Sequence, residues 1–176
     1  MIEAPTETTQ AARVRAAWDV LDTVLDPEVP ALSVRDLGIV RDVLAQGDAL
    51  EIILTPTYSG CPATEVIEHD VLAAIDAAGL GPASVTLRRA PAWSSDWISA
   101  EGRKKLAAYG IAPPHVLAVG EAVPIRFFGR GRKHEVACPR CGSHHTERLS
   151  AFGSTACKAL YRCLACQEPF EYFKPI

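Results

Sequence analysis

The chain has 176 residues, of which 48% are apolar and 22% are charged, a composition that allows a buried core. Its net charge of −3 argues neither for nor against any class of partner. The acidic N-terminus lacks the apolar stretch of a secretory signal, and no apolar run approaches the ~20 residues that span a bilayer. We therefore expect a cytoplasmic protein without a membrane partner, whose six cysteines are metal ligands or reactive thiols rather than disulfides.

The first predicted element is an amphipathic helix, because apolar residues recur at helical spacing over residues 14–25. It ends before Pro27, since the residue that precedes a proline avoids the helical region. Two apolar segments follow, residues 38–44 and 50–55, and a turn at residues 46–48 separates them. This pattern predicts a β-hairpin whose second strand is the more buried.

A second helix is predicted over residues 61–79, because apolar residues again recur at helical spacing and a proline suits the first turn. Residues 84–88 alternate as a third strand, and residues 99–109 form a short helix. The order α-β-β-α-β-α predicts an α+β domain over about residues 10–110. Its β-α-β unit should form a right-handed parallel crossover.

The rest of the chain divides into a linker and a small module. Residues 111–132 contain three prolines and a Gly-Arg-Gly-Arg turn, which predicts a linker with an extended segment, and residues 133–176 follow as the module. The charge distribution favours a boundary, because residues 1–125 have a net charge of −8 and residues 126–176 a net charge of +5. The two parts either attract each other in the fold, or the basic part docks an acidic partner.

The module carries two Cys-x-x-Cys pairs, Cys138 with Cys141 and Cys163 with Cys166, and 21 residues separate the pairs. Two such knuckles bring four thiolates to tetrahedral positions around one ion, which predicts a small all-β zinc ribbon. The flanks that can pair as short strands are residues 133–137, 145–149, 159–162 and 169–173. Because a module of ~40 residues rarely folds on its core alone, metal binding would supply much of its stability. Zinc is the usual occupant, and iron is an alternative that would make a one-iron electron carrier.

Three nearby residues are interpreted as bystanders. Cys157, His144 and His145 lie outside the two pairs, and a closed four-sulfur site needs no fifth ligand. One alternative puts Cys157 in place of a knuckle cysteine. Another is a nucleic-acid-binding ribbon, which is less favoured because the positive charge is modest and no stacking pattern of aromatic residues accompanies it.

Cys61 stands apart from the ribbon cysteines, because it is placed at the start of the second predicted helix after a flexible loop. Unpaired amides and the helix dipole favour a thiolate there, which could be a nucleophile or a metal ligand. Asp26, Glu28 and Asp36 are expected near the mouth of the hairpin, where carboxylates beside a thiolate could form a transient iron site. A cysteine that only packs, and acidic residues that only end a helix or face solvent, are interpretations of equal weight.

Two segments carry a resemblance to a known family. Residues 25–30, Leu-Asp-Pro-Glu-Val-Pro, are followed by Asp36-Leu-Gly and by Cys61-Pro, and together they resemble the MIP18 family, also called domain of unknown function 59. The resemblance covers roughly residues 12–108. Members of that family are small α+β proteins implicated in iron–sulfur cluster assembly or delivery. Their single cysteine is the suspected functional residue, and the resemblance aligns it with Cys61.

A second resemblance covers nearly the whole chain. Residues 56–63, 93–97 and 152–158 are similar to the D proteins of the bacterial phenylacetyl-CoA epoxidase system. That system uses a diiron oxygenase and a flavin/iron–sulfur reductase to add one oxygen atom to the ring of phenylacetyl-CoA. The resemblance implies partners among the oxygenase and reductase components. It also implies a purpose for Cys157 that spacing alone does not give.

Three functions are compatible with these observations. The sequence contains no Ser-His-Asp set, no phosphate-binding glycine loop and no dinucleotide fingerprint, so it offers no catalytic constellation of its own. The favoured hypothesis is a maturation factor that carries iron or a cluster through Cys61 and docks its client through the ribbon. The alternatives are a stably bound subunit of the epoxidase and an electron carrier with an iron-loaded ribbon.

Overall fold

The computed structural model describes residues 7–115 and 136–176. The chain divides into two compact units, Met1–Gly102 and Arg103–Ile176, and each contains its own sheet. Most of the predicted linker and the start of the predicted strand at residues 133–137 lie outside the described residues. No helix in the described parts of the chain is long and apolar enough to cross a membrane.

The first unit contains all the predicted elements. They are α1 (Glu7–Leu21), β1 (Val40–Gln46), β2 (Ala49–Leu54), α2 (Ala63–Ala77), β3 (Ala83–Leu87), a short 3₁₀ turn (Ser95–Trp97) and the start of α3 (Ala100–Tyr109). The predicted α+β class is therefore confirmed. The first helix begins and ends earlier than predicted, because Leu25 pairs with Ser33 in an isolated bridge and the chain has already turned there.

The sheet of the first unit has the order β1-β2-β3. β1 and β2 pair antiparallel, as the hairpin prediction requires, and β2 and β3 pair parallel, so the connection through α2 is a parallel crossover. The central strand β2 is apolar and buried at Leu50 and at residues 52–54. α2 buries Ile67, Val71 and Ile75, which recur every four residues on one face. The loop with Cys61 therefore leaves the carboxyl end of the central strand and enters a helix.

The Asp-Leu-Gly motif fastens the loop before β1 to the segment around Trp97. Asp36 Oδ1 accepts a hydrogen bond from Ser99 Oγ at 2.9 Å, and the Asp36 carbonyl accepts one from the Ser99 backbone N–H at 2.8 Å. Gly38 has a φ of +67°, and a Cβ at this position would lie 2.6 Å from the Trp97 carbonyl oxygen. Only glycine fits both constraints. The motif thus has a structural reason, and Asp36 serves it.

The second unit is built on a four-stranded sheet with the order β4-β7-β6-β5. The strands are β4 (Ile111–Ala112), β5 (Thr146–Ser150), β6 (Lys158–Cys163) and β7 (Pro169–Phe173). The last three form the antiparallel sheet expected of the ribbon. β4 pairs parallel with β7 and comes from the first residues of the predicted linker. Val136 and Ala137 lie outside any strand.

The core of this unit is small and includes two of the knuckle cysteines. Its buried members are Ala112, Val136, Cys138, Ala159, Cys163, Phe170 and Tyr172. Two aromatic contacts add to it, because the Tyr161 ring stacks with Phe170 at 5.8 Å and meets Tyr172 edge-on at 5.6 Å. With Cys138 and Cys163 inside this core, the state of their thiols bears directly on the packing of the unit.

Candidate metal centre and the Cys61 pocket

Two tight turns carry the four ribbon cysteines. In the first, the Gly142 backbone N–H donates to the Cys138 carbonyl at 2.8 Å, and Gly142 has a φ of +72° directly after Cys141. In the second, Gln167 follows Cys166 and has a φ of +64°. A left-handed residue therefore stands directly after the second cysteine of both knuckles, although only one of the two is a glycine.

The four thiols converge on one point. The Sγ atoms of Cys138, Cys141, Cys163 and Cys166 all lie within 4.8 Å of one another. Cys138 and Cys166 are 3.8 Å apart, and Cys141 and Cys163 are 3.6 Å apart. A tetrahedral ion with Zn–S bonds of about 2.3 Å separates its sulfurs by about 3.8 Å. The donor set and its size therefore fit a single tetrahedral metal ion.

The thiols of this cluster perturb one another strongly. The backbone N–H of Cys166 donates to Cys163 Sγ at 3.5 Å and lowers the pKa of Cys163 to about 6. The Glu168 backbone N–H lowers the pKa of Cys166, but desolvation and the neighbouring thiols raise that pKa overall to about 12. The Ser143 backbone N–H lowers the pKa of Cys141, and the thiol of Cys163 and desolvation raise it overall. At neutral pH the metal-free cluster therefore keeps protons on Cys141 and Cys166.

Metal loading is accordingly expected to release protons. A tetrathiolate site needs all four sulfurs ionised, so each ion that binds at pH 7 should displace at least the two protons on Cys141 and Cys166. Calorimetric titration of the metal-free chain with Zn²⁺ in buffers of different ionisation enthalpy measures this number. Affinity should fall as the pH falls, because protons compete for the sulfurs. Release of fewer than two protons would rule out the four-thiolate ligand set.

Cys157 lies outside the four-thiol group. Its side chain is buried, and its Sγ is 3.0 Å from Thr155 Oγ1. Within residues 7–115 and 136–176, the four knuckle thiols form the one group of three or more Cys, His, Asp or Glu side chains close enough to share an ion. The alternative in which Cys157 replaces a knuckle cysteine therefore gains no geometric support, and neither His144 nor His145 joins the group.

Cys61 lines a small pocket in the first unit. The pocket has a volume of about 20 Å³, and its lining residues are Asp26, Ile39, Leu54, Pro56, Thr57, Cys61, Thr64, Ile67 and Leu87. Space of this size holds one water-sized group, so a single ion fits and a cluster would have to lie outside it. The helix begins at Ala63 with Pro62 as its N-cap, so Cys61 is one residue further from α2 than predicted. Its carbonyl accepts the Thr64 backbone N–H at 3.2 Å.

The structure brings Asp26 into the same pocket and leaves Glu28 out of it. Asp26 is buried, and its Oδ1 accepts the backbone N–H groups of Glu28 at 2.9 Å and Val29 at 2.7 Å. These bonds shape the turn after α1, so the structural interpretation of Asp26 holds beside its place in the pocket. Cys61 and Asp26 alone are too few ligands for the permanent coordination of a metal ion.

Two further polar residues of the pocket escaped the sequence analysis. Thr57 and Thr64 line it together with Cys61 and Asp26. The available signal was their position, four residues before and three residues after Cys61, on the loop and on the first turn of the helix. Hydroxyl groups at such spacing also serve as ordinary turn and cap residues, so the signal is weak.

Comparison with known proteins shows the family. Residues 15–87 match the domain described as iron–sulfur cluster assembly protein, and residues 124–174 match the PaaD zinc beta ribbon domain. A 1,2-phenylacetyl-CoA epoxidase subunit from Escherichia coli (strain K12) is 46% identical over 164 residues, which cover 93% of this chain and 94% of that protein. The chain belongs to the PaaD family. Both resemblances noted in the sequence are thereby confirmed.

The first domain has relatives of its own outside the PaaD family. An Fe-S protein maturation auxiliary factor from Porphyromonas gingivalis is 33% identical over 89 residues, which cover 49% of this chain and 84% of that protein. The crystal structure of a domain of unknown function 59 from Bacillus anthracis superposes with a TM-score of 0.54 at 27% identity, and covers 57% of this chain and 97% of its own. The PaaD ribbon is therefore an addition to a domain that occurs alone elsewhere.

Proposed function

We propose that this protein is a maturation factor that delivers iron or an iron–sulfur cluster to the oxygenase or the reductase of phenylacetyl-CoA epoxidase in the cytoplasm. Membership of the PaaD family supports a role in the epoxidase system, and the first domain matches iron–sulfur cluster assembly proteins. The finer statement, that the protein hands over a metal through Cys61, Asp26 and the neighbouring Glu28, is the proposal.

The observation that carries the proposal is the contrast between the two cysteine sites. The ribbon gathers four thiols around one point, which suits permanent binding. The Cys61 pocket offers one half-buried thiol and one carboxylate, and any further ligands have to come from another molecule. A carrier must release its cargo, and an incomplete ligand set favours release to a client that completes the coordination.

The ribbon has a structural and docking role in this proposal. Cys138, Cys141, Cys163 and Cys166 would hold one structural zinc ion per chain. Iron fits the same four thiolates and would make the ribbon an electron carrier. The two occupants differ in colour, because thiolate–iron charge transfer makes the protein red and zinc leaves it colourless. Metal analysis together with the visible spectrum of the purified chain therefore separates them.

Transfer of metal between purified proteins tests the delivery role. The chain is loaded anaerobically with one equivalent of ferrous iron beyond its ribbon metal, and is then mixed with metal-free oxygenase and separated from it. The proposal expects iron in the oxygenase, and a chain recovered with only its ribbon metal. Loaded chain that yields no more iron to the oxygenase than free ferrous iron does would count against delivery. The same design with a reconstituted cluster and cluster-free reductase covers the second client.

A stably bound subunit is the second candidate, and the name of the Escherichia coli relative as an epoxidase subunit favours it. Such a subunit would co-purify with the oxygenase at fixed stoichiometry and would be needed during every turnover. A maturation factor is needed only while the client is made. The two functions therefore differ in when the chain must be present.

A further inference from the structure

Phe152 is an apolar side chain in an unusual position. With 64% of its surface open to solvent, it is the most exposed large hydrophobic residue in the described parts of the chain. A single exposed apolar residue is ordinary on a protein surface and needs no explanation by itself. Phe152 differs because the loop that carries it is held in place by a buried charged pair.

The lock consists of Lys158 and Glu171. Lys158 is buried, and its Nζ lies 2.9 Å from Glu171 Oε2. The other carboxylate oxygen, Oε1, accepts the Ser154 backbone N–H at 2.6 Å. Between them, the Gly153 backbone N–H donates to the Lys158 carbonyl at 2.8 Å, and a Cβ on Gly153 would lie 2.6 Å from Glu171 Oε1. The chain after Phe152 therefore has one conformation in which these groups are all satisfied.

A buried ion pair of this kind adds little net stability, because both charges lose their water. What the Lys158–Glu171 pair provides is a defined loop, and that loop presents Phe152 to solvent. The Phe152 backbone is also fixed by a hydrogen bond from its N–H to Ser150 Oγ at 3.2 Å. An aromatic side chain on a rigid backbone loses little conformational entropy when it binds, which is the property of an interface anchor.

The surroundings of Phe152 are cationic. Lys174 Nζ lies 4.5 Å from the centroid of the Phe152 ring and donates to the Ala151 carbonyl at 3.3 Å. The other charges of residues 136–176 are mostly paired, Lys158 with Glu171 and Arg162 with Glu147. In that range, the charged side chains without an ion pair are Arg140, Arg148, Lys174 and Glu168. By sequence residues 126–176 carry +5, and a tetrathiolate zinc site of formal charge about −2 leaves them positive.

We infer that Phe152 and Lys174, together called the Phe152 patch, dock an acidic surface of the protein that receives the metal. The Phe152 ring fills an apolar recess in that surface, and Lys174 faces a carboxylate at its rim. Opposite charge steers the encounter, and the rigid ring supplies the anchor. The inference rests on the proposed function, because it assigns to the client the surface that meets the ribbon. It also gives the segment 152–158 a purpose.

Binding measurements with the metal-loaded full chain test the patch. The probes are the purified oxygenase and the purified reductase, and the variants are Phe152→Ala and Lys174→Glu. Tyr109→Ala is the matched control, because it removes an aromatic ring that is 56% exposed on α3. We expect Phe152→Ala to weaken the binding of one component about 10- to 100-fold. Lys174→Glu should weaken it by an amount that shrinks as salt rises, and the control should bind like the wild type.

Three other outcomes overturn the inference, and they are distinguishable. Unchanged affinity in Phe152→Ala removes the patch and leaves the delivery role standing. A change in the mass of the isolated chain on Phe152→Ala, seen by sedimentation, would show that a second copy occupies the patch instead. Failure of the wild-type chain to bind either component removes both the patch and the proposed client. Each variant must keep one ribbon metal per chain, which confirms that the module is folded.

Discussion

A Cys61→Ser variant is expected to keep its fold and to leave its client short of iron. Cys61 is half-buried and does not belong to the buried core, so a serine of similar size should be tolerated. The hydroxyl is a far weaker metal ligand than a thiolate, and loss of a ligand-supporting group alone already costs about 10- to 100-fold in metal affinity. We therefore expect the iron content of a client that is co-expressed with this variant to fall about tenfold or more.

The measurement is the iron-to-protein ratio of the oxygenase and of the reductase, each purified after co-expression with the wild-type or the variant chain. Cys157→Ser is the matched control, because it also removes a lone cysteine that lies outside the four-thiol group. It should give a fully loaded client. Thermal unfolding of the Cys61→Ser chain establishes that its fold is intact. A fully loaded and active client from Cys61→Ser would refute the role assigned to this residue.

Removal of the ribbon metal has the second large expected effect. Chelation should unfold residues 136–176 of the full chain and leave residues 10–100 protected. Cys138 and Cys163 are both metal-site thiols and members of the small core, so loss of the ion leaves buried thiols that repel or carry protons where a bond held them. Apparent binding energies of about 10–16 kcal/mol for structural zinc in small modules exceed what such a core supplies.

Hydrogen exchange read by mass spectrometry follows the two regions separately. After chelation the amides of β5, β6 and β7 should exchange at the rate of an unfolded chain, and those of β2 should remain protected. Cys163→Ser should reproduce the chelated state in the absence of chelator, and Cys157→Ser should keep both the ion and the protection. Persistent protection of β6 in the metal-free chain would show that the ribbon folds without its ion.

The elements that the sequence predicted best are those with local causes. The knuckles follow from Cys-x-x-Cys spacing, because the turn and its ligands lie within a few residues of each other. The hairpin and α2 follow from apolar periodicity, which local backbone geometry dictates. The position of Cys61 was predicted to within one residue for the same reason, since Pro62 marks the start of α2.

The features that sequence reasoning missed depend on distant partners. β4 pairs with β7, which lies about sixty residues further along the chain, and nothing in Ile111–Ala112 beside two prolines announces that pairing. Lys158 reads as a surface residue until Glu171 is seen across the sheet. Glu28 was expected beside Cys61 because it follows Asp26 in sequence, yet only Asp26 reaches the pocket, since the turn it shapes carries Glu28 away.

The most direct test of the central claim asks when the chain is needed. The epoxidase oxygenase is produced with and without this chain, purified free of it, and compared for iron content and for activity without adding the chain back. The account predicts that oxygenase made alone is poor in iron and inactive, and that co-expressed oxygenase works after the chain has been removed. Equal iron in both preparations, with activity only when the chain is present in the assay, would contradict delivery and identify a working subunit.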